Sequence, residues 1–226
     1  MKTLQIGLST ALVIAVSAVF AQATQIYSFN VLPGASIQFN GSASSFQFNG
    51  TNNLASANQW VLTESGGSGA FGLQGYFSGG PWTYGPITTS GSLQYATVNP
   101  GTATLTIDDG TGLLATASVV WGMIDTVGTV GAFNANLTVN LSNFSYSGGN
   151  ADLLNFFSSP GGQLNLNFQT TAKTLTQLSS GSAPFTTSFA GNLTPVPEPA
   201  SALVLGLGFL ILGGCAFGRK LANQVG

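Results

Sequence analysis

The sequence predicts an all-β body, an antiparallel β-sandwich of about eight to ten strands with one short helix. An N-terminal signal helix and a C-terminal transmembrane helix are expected to flank it. Three observations carry this expectation. Several segments alternate apolar and polar residues with a period of two, 31 glycines punctuate them, and an uncharged apolar run stands near each end of the chain.

Lys2 precedes an apolar stretch from Ile6 to Phe20, and Val19-Phe20-Ala21 or Ala21-Gln22-Ala23 supplies the small residues that signal peptidase cuts after. Residues 1–23 therefore read as a signal peptide; an uncleaved N-terminal anchor is the other reading, and either one exports the body. That body is expected to span 24–194. Tyr27, Phe29 and Val31 open it with a first alternating strand. Ile37-Gln38-Phe39-Asn40-Gly41 and Phe46-Gln47-Phe48-Asn49-Gly50 echo one another, which suggests a hairpin turning in Ser42 to Ser45. Strands are further expected at Thr102 to Ile107, at Ala115 to Ile124, and at Thr186 to Leu193. The clearest alternation places Phe133, Ala135, Leu137, Val139 and Leu141 on one face and Asn134, Asn136, Thr138, Asn140 and Ser142 on the other. Leu164, Leu166 and Phe168 repeat it against Asn165, Asn167 and Gln169. Asn150 to Phe157 breaks the pattern: a capping Asn, Asp152 in the first turn and apolar residues at helical spacing predict a short helix, stopped by Pro160-Gly161-Gly162.

Charged residues make up 4 % of the chain, against roughly 25 % in an ordinary soluble protein. The surface must therefore be made of amides and hydroxyls. In the body, Glu64, Asp108, Asp109, Asp125 and Asp152 stand against Lys173, and without a basic stripe no nucleic-acid partner is expected. Cys215, the single cysteine, lies outside the body, so no disulfide staples it. Trp60, Trp82 and Trp121, with 16 Phe in the chain, supply the apolar area that a disordered segment lacks.

Histidine is absent, which removes the commonest general base and the favoured nitrogen ligand of zinc. No catalytic residue, cofactor or enzymatic activity is expected. A glycosidase pair would have to be drawn from Glu64, Asp108, Asp109 and Asp125. Asp108 and Asp109, in Ile107-Asp108-Asp109-Gly110-Thr111-Gly112, could offer oxygens to calcium, but Asp-Gly is also the chemistry of a tight turn and no EF-hand pattern is present. The turn is the preferred reading, and no metal is assigned. Trp82 and Tyr84 lie in a Pro/Gly-framed stretch, Gly79 to Pro86, where aromatic rings either face water and stack on sugars or pack into the core.

The end of the chain is tripartite. Val196-Pro197-Glu198-Pro199 presents one carboxylate on an extended, proline-stiffened stretch. An apolar run of 17 residues, 202–218, comes next and is near the lower limit for spanning a bilayer of about 30 Å. Arg219 and Lys220 close it, and such a basic pair tends to stay cytoplasmic. Together with the signal peptide, residues 195–226 resemble the sorting tail of the PEP-CTERM proteins of Gram-negative bacteria. The resemblance implies recognition by an exosortase after passage through the inner membrane, and release or transfer of the body to the cell surface. It further implies a structural or adhesive role in a biofilm or exopolysaccharide matrix, with exopolysaccharide or other copies of the chain as partners. Leu221 to Gly226 extend past the basic pair and Cys215 sits inside the apolar run, two departures from the pattern. A permanent single-span anchor is the competing reading of the tail, and a surface-anchored carbohydrate-binding module the competing reading of the body.

Overall fold

The computed structural model describes residues 26–50, 58–64, 67, 69–127, 134–169 and 173–196. Residues 1–23, expected to be a signal peptide, the apolar run 202–218 and most of the expected sorting tail lie outside the described residues. Among the described residues no helix is long and apolar enough to cross a membrane.

Fourteen strands are present in the described chain. They are β1 (Tyr27–Val31), β2 (Ser36–Asn40), β3 (Ser45–Asn49), β4 (Trp60–Glu64), β5 (Gln74–Ser78), β6 (Trp82–Thr83) and β7 (Thr88–Ser90). The second half adds β8 (Leu93–Thr97), β9 (Thr104–Asp108), β10 (Leu114–Val127), β11 (Asn134–Ser145), β12 (Gly161–Gln169), β13 (Phe185–Thr187) and β14 (Phe189–Val196). Two α-helices, α1 (Ala151–Phe157) and α2 (Leu175–Ser180), interrupt them. All strand pairings are antiparallel.

The expected sandwich is corrected to a closed barrel. Eight strands run in the order β11-β12-β14-β1-β4-β5-β9-β10, and β10 pairs back onto β11 to close the ring. Alternation alone cannot separate the two architectures, because both put every second side chain inside. Closure comes from β10. Its first half pairs β9, its second half leaves the ring to pair β8, and its other edge runs along β11 with register shifts at Thr116/Ser118 and Trp121/Ile124. Such shifts bend and coil a strand, which is what a ring requires.

An eight-stranded ring is just wide enough to be filled by side chains. Phe29, Trp60, Leu105, Leu137, Leu164 and Leu193 are among the buried residues that fill it. Room for the largest is made by glycine: a Cβ on Gly75 would overlap the Trp60 indole, and one on Gly191 would overlap the Phe29 ring. The indole N–H groups of Trp60 and Trp121 are buried without a hydrogen-bond partner, so packing alone holds those rings.

Each end of the ring has its own plug. At one end sits α1, whose start follows the sequence: Asn150 Oδ1 accepts from the backbone N–H of Asp152 and Leu153. Phe156 on α1 meets Tyr27 edge-on at 5.1 Å, and the Tyr27 hydroxyl donates to the Asp152 carbonyl at 2.6 Å. The other end is covered by a second sheet, β13-β2-β3-β6. From it Phe48 reaches Phe77 at 4.8 Å and Phe189 at 5.0 Å, while Phe39 reaches Phe168 at 5.3 Å. The hairpin expected from the internal echo is β2–β3, turning through Gly41–Ala43.

The sequence predicts one helix and two are present. Thr174 caps α2 by accepting from the Gln177 N–H, and Gln177 Oε1 accepts from the Thr174 N–H in return. The α2 helix buries Leu175 and Leu178, and the Leu175 N–H donates to Thr126 Oγ1 of β10.

Candidate functional site

The period-two pattern that turns Leu137, Leu164 and Leu193 into the barrel turns amides and hydroxyls outward. Strand register then arranges them in rows. Thr138, Asn165, Asn192 and Ser28 line up across β11, β12, β14 and β1, and Asn136, Asn167, Ala190 and Asn30 form the next row. Ala190 is the small member of that second row, so a gap opens between Asn167 and Asn30. A groove of about 480 Å³ lies there, lined by Asn30, Val31, Asn167, Phe168, Ser188, Phe189 and Ala190. Phe168 and Phe189 are buried, and the groove presents the amides of Asn30 and Asn167 and the Ser188 hydroxyl around a floor that is more apolar than polar, with Val31 and Ala190 in it. Its lining carries no charge. A neutral, hydroxyl-rich ligand suits such a surface, whereas a phosphate or carboxylate would find no counter-charge.

Trp82 and Tyr84 are elsewhere and are inaccessible. Trp82 is 3 % exposed, packed against Phe46 at 5.6 Å and Trp121 at 4.8 Å, with its Nε1–H donating to the Thr102 carbonyl. Tyr84 is 4 % exposed, and its hydroxyl shares a hydrogen bond with Ser179 of α2. Burial pushes the Tyr84 hydroxyl above its ordinary pKa, with the Ser179 bond opposing. Of the two readings open for this stretch, core packing is the one observed: the Pro/Gly frame delivers β6 onto the edge of β3, and its aromatics complete the plug.

Asp108 and Asp109 form a hydrogen-bonded turn. Asp108 Oδ1 accepts from the Gly110 N–H, where φ is +81°. Asp109 Oδ1 accepts from the Thr111 N–H, the Thr111 hydroxyl and the Leu113 N–H, and its Oδ2 accepts from the Tyr146 hydroxyl. The Thr111 bonds, helped by Tyr146 and Leu113, hold the Asp109 carboxyl below the usual carboxylate range. Its oxygens are committed to the protein, and among the described residues no group of three acidic or thiol side chains could hold a metal ion.

The remaining carboxylates are dispersed. Glu64 lies at the α1-plugged end and accepts from the Ser28 hydroxyl, while Asp125 lies toward the opposite end and accepts from Asn136 Nδ2. Burial pushes the Asp125 carboxyl up, with the Asn136 bond opposing.

Of the expected sorting motif Val196 to Pro199, Val196 is described: it ends β14, where Pro195 and Val196 pair with Gly162 and Gly161 of β12. Pro197, Glu198, Pro199, Arg219 and Lys220 lie outside the described residues. No protein-family model and no curated protein matches the chain.

Proposed function

We propose that the chain is an exported, non-enzymatic component of the cell surface or extracellular matrix, sorted by an exosortase through its PEP-CTERM tail. The observation that carries this reading is the tail itself: Pro197-Glu198-Pro199 follow the last wall strand directly, and the 17-residue apolar run and Arg219-Lys220 complete the pattern. An outer wall of in-register amides supports the matrix role. With few charges, its surface imposes little long-range repulsion between copies or toward a hydrated polysaccharide. Mature chain isolated from host cultures should co-sediment with the host's exopolysaccharide, or self-associate, with less than about a twofold change between low and physiological salt. Absence of both associations at every salt concentration contradicts the adhesive role.

The groove at Ala190 favours a second reading, a carbohydrate-binding module that takes one neutral glycan. Saturable binding lost in Asn30→Ala or Asn167→Ala, with bulk matrix association unchanged, would select it.

A further inference from the structure

Nine large apolar side chains are exposed among the described residues, and six of them gather at the α1-plugged end of the barrel: Ile26, Phe71, Leu113, Leu114, Leu154 and Val196. Their placement is fixed by the plug. Leu154 is on α1 itself; Ile26 precedes Tyr27, which bonds α1; and Val196 pairs with Gly161, just after α1. The loop carrying Phe71 is tied to the helix by the Ala70 N–H donating to Asp152 Oδ2 and by Asn150 Nδ2 donating to the Gly69 carbonyl. The loop carrying Leu113 is tied through Asp109 to Tyr146, whose hydroxyl accepts from the Asn150 N–H. Phe71, 66 % exposed, is the most prominent of the six.

This is also the end from which the chain departs toward its apolar run. Five residues lie between Val196 and Ala202, a reach of at most about 22 Å when fully extended. A barrel tethered that closely has to stand on the membrane with this end nearest the lipid. Its charges at that end are Glu64, Asp108, Asp109 and Asp152, all acidic, while Lys173 sits over the Phe185 ring of the second sheet. An anionic lipid surface would repel them and a zwitterionic one would not.

We propose that the α1-plugged end is a membrane-docking surface on which the unprocessed precursor rests, with Phe71 and Leu113 entering a zwitterionic lipid interface. The proposal depends on the reading of 202–218 as membrane-inserted. Docking stands the body upright over its tether and keeps Pro197-Glu198-Pro199 at the lipid surface, where a membrane enzyme has to find them.

The test uses the full chain with Cys215→Ser and a single fluorophore on Phe71→Cys, Leu113→Cys or, at the β7–β8 turn of the opposite end, Ser90→Cys. Each is reconstituted into phosphatidylcholine vesicles carrying a headgroup-level nitroxide quencher. Quenching at positions 71 and 113 should exceed that at 90 by about threefold or more, and should fall when anionic lipid is added at low salt. Carbonate-resistant chain whose three labels are quenched equally overturns the docking surface. Crosslinking of Phe71→Cys between copies without quenching overturns it in favour of self-association. Chain that carbonate washes off the vesicles overturns the membrane reading of 202–218 and the proposal with it.

Discussion

The side-chain amide of Gln59 pairs with both backbone groups of Phe77: Nε2 donates to the Phe77 carbonyl at 3.0 Å, and Oε1 accepts from the Phe77 N–H at 2.8 Å. The β4–β5 ladder proper is short, with the registers Trp60↔Gly75 and Val61↔Gln74, and Gln59 prolongs the pairing with its backbone N–H donating to the Gly75 carbonyl and its side chain reaching on to Phe77. Nε2 also lies 3.5 Å from the Phe48 carbonyl, which links the ring to the second sheet. Gln59 is 0 % exposed, and the two Phe77 groups would have no water to turn to without it.

Gln59→Leu is therefore expected to lower unfolding free energy by about 2–4 kcal/mol, since two buried polar groups are left unpaired. Urea denaturation of the variant beside the parent reads this directly.

Gly191→Val should be as damaging for the opposite reason. Its Cβ would overlap the Phe29 ring and crowd the Asn165 carbonyl, an overpacking that costs about 3 kcal/mol or more. A matching loss in thermal midpoint is expected, and a variant as stable as the parent would contradict the filled-barrel description.

Stability should fall on the acid side through Asp109. Its carboxyl is held low by the Thr111 bonds first, so the stabilisation is complete above the ordinary carboxylate pKa of about 4 and drains as pH falls through the lowered value. Asp125 acts in the opposite sense, because burial raises its pKa and acid relieves its desolvation. Asp109→Asn should flatten the acid limb of a denaturation-midpoint curve, and Asp125→Asn should steepen it.

Asn150→Ala removes the cap of α1 together with the tie to Gly69. A loss of about 1–2 kcal/mol is expected, with hydrogen exchange rising first in α1 and the Phe71 loop.

The strands at Tyr27, Leu137 and Leu164 were legible because their two faces are chemically distinct, and α1 because Asn150 and Asp152 mark its start. The α2 helix carried a readable signal too, Thr174 followed three residues later by Gln177, but six residues are too few for apolar periodicity to stand out. Ring closure had no local signature, since it depends on which edge β10 presents to β11. Burial of Trp82 was hidden by its Pro/Gly surroundings, which look the same whether a loop faces water or turns inward. The groove at Ala190 exists only in the register of three strands, so no single segment of sequence contains it.

The most direct test of sorting is the intact mass and cellular location of the mature chain in its host, beside a variant with Pro197, Glu198 and Pro199 replaced by alanine. A wild-type chain that has lost both ends and left the inner membrane, against a variant retained with its tail, is the predicted result. A wild-type chain that keeps Cys215 to Gly226 and stays membrane-bound would contradict sorting and leave a permanently anchored surface barrel.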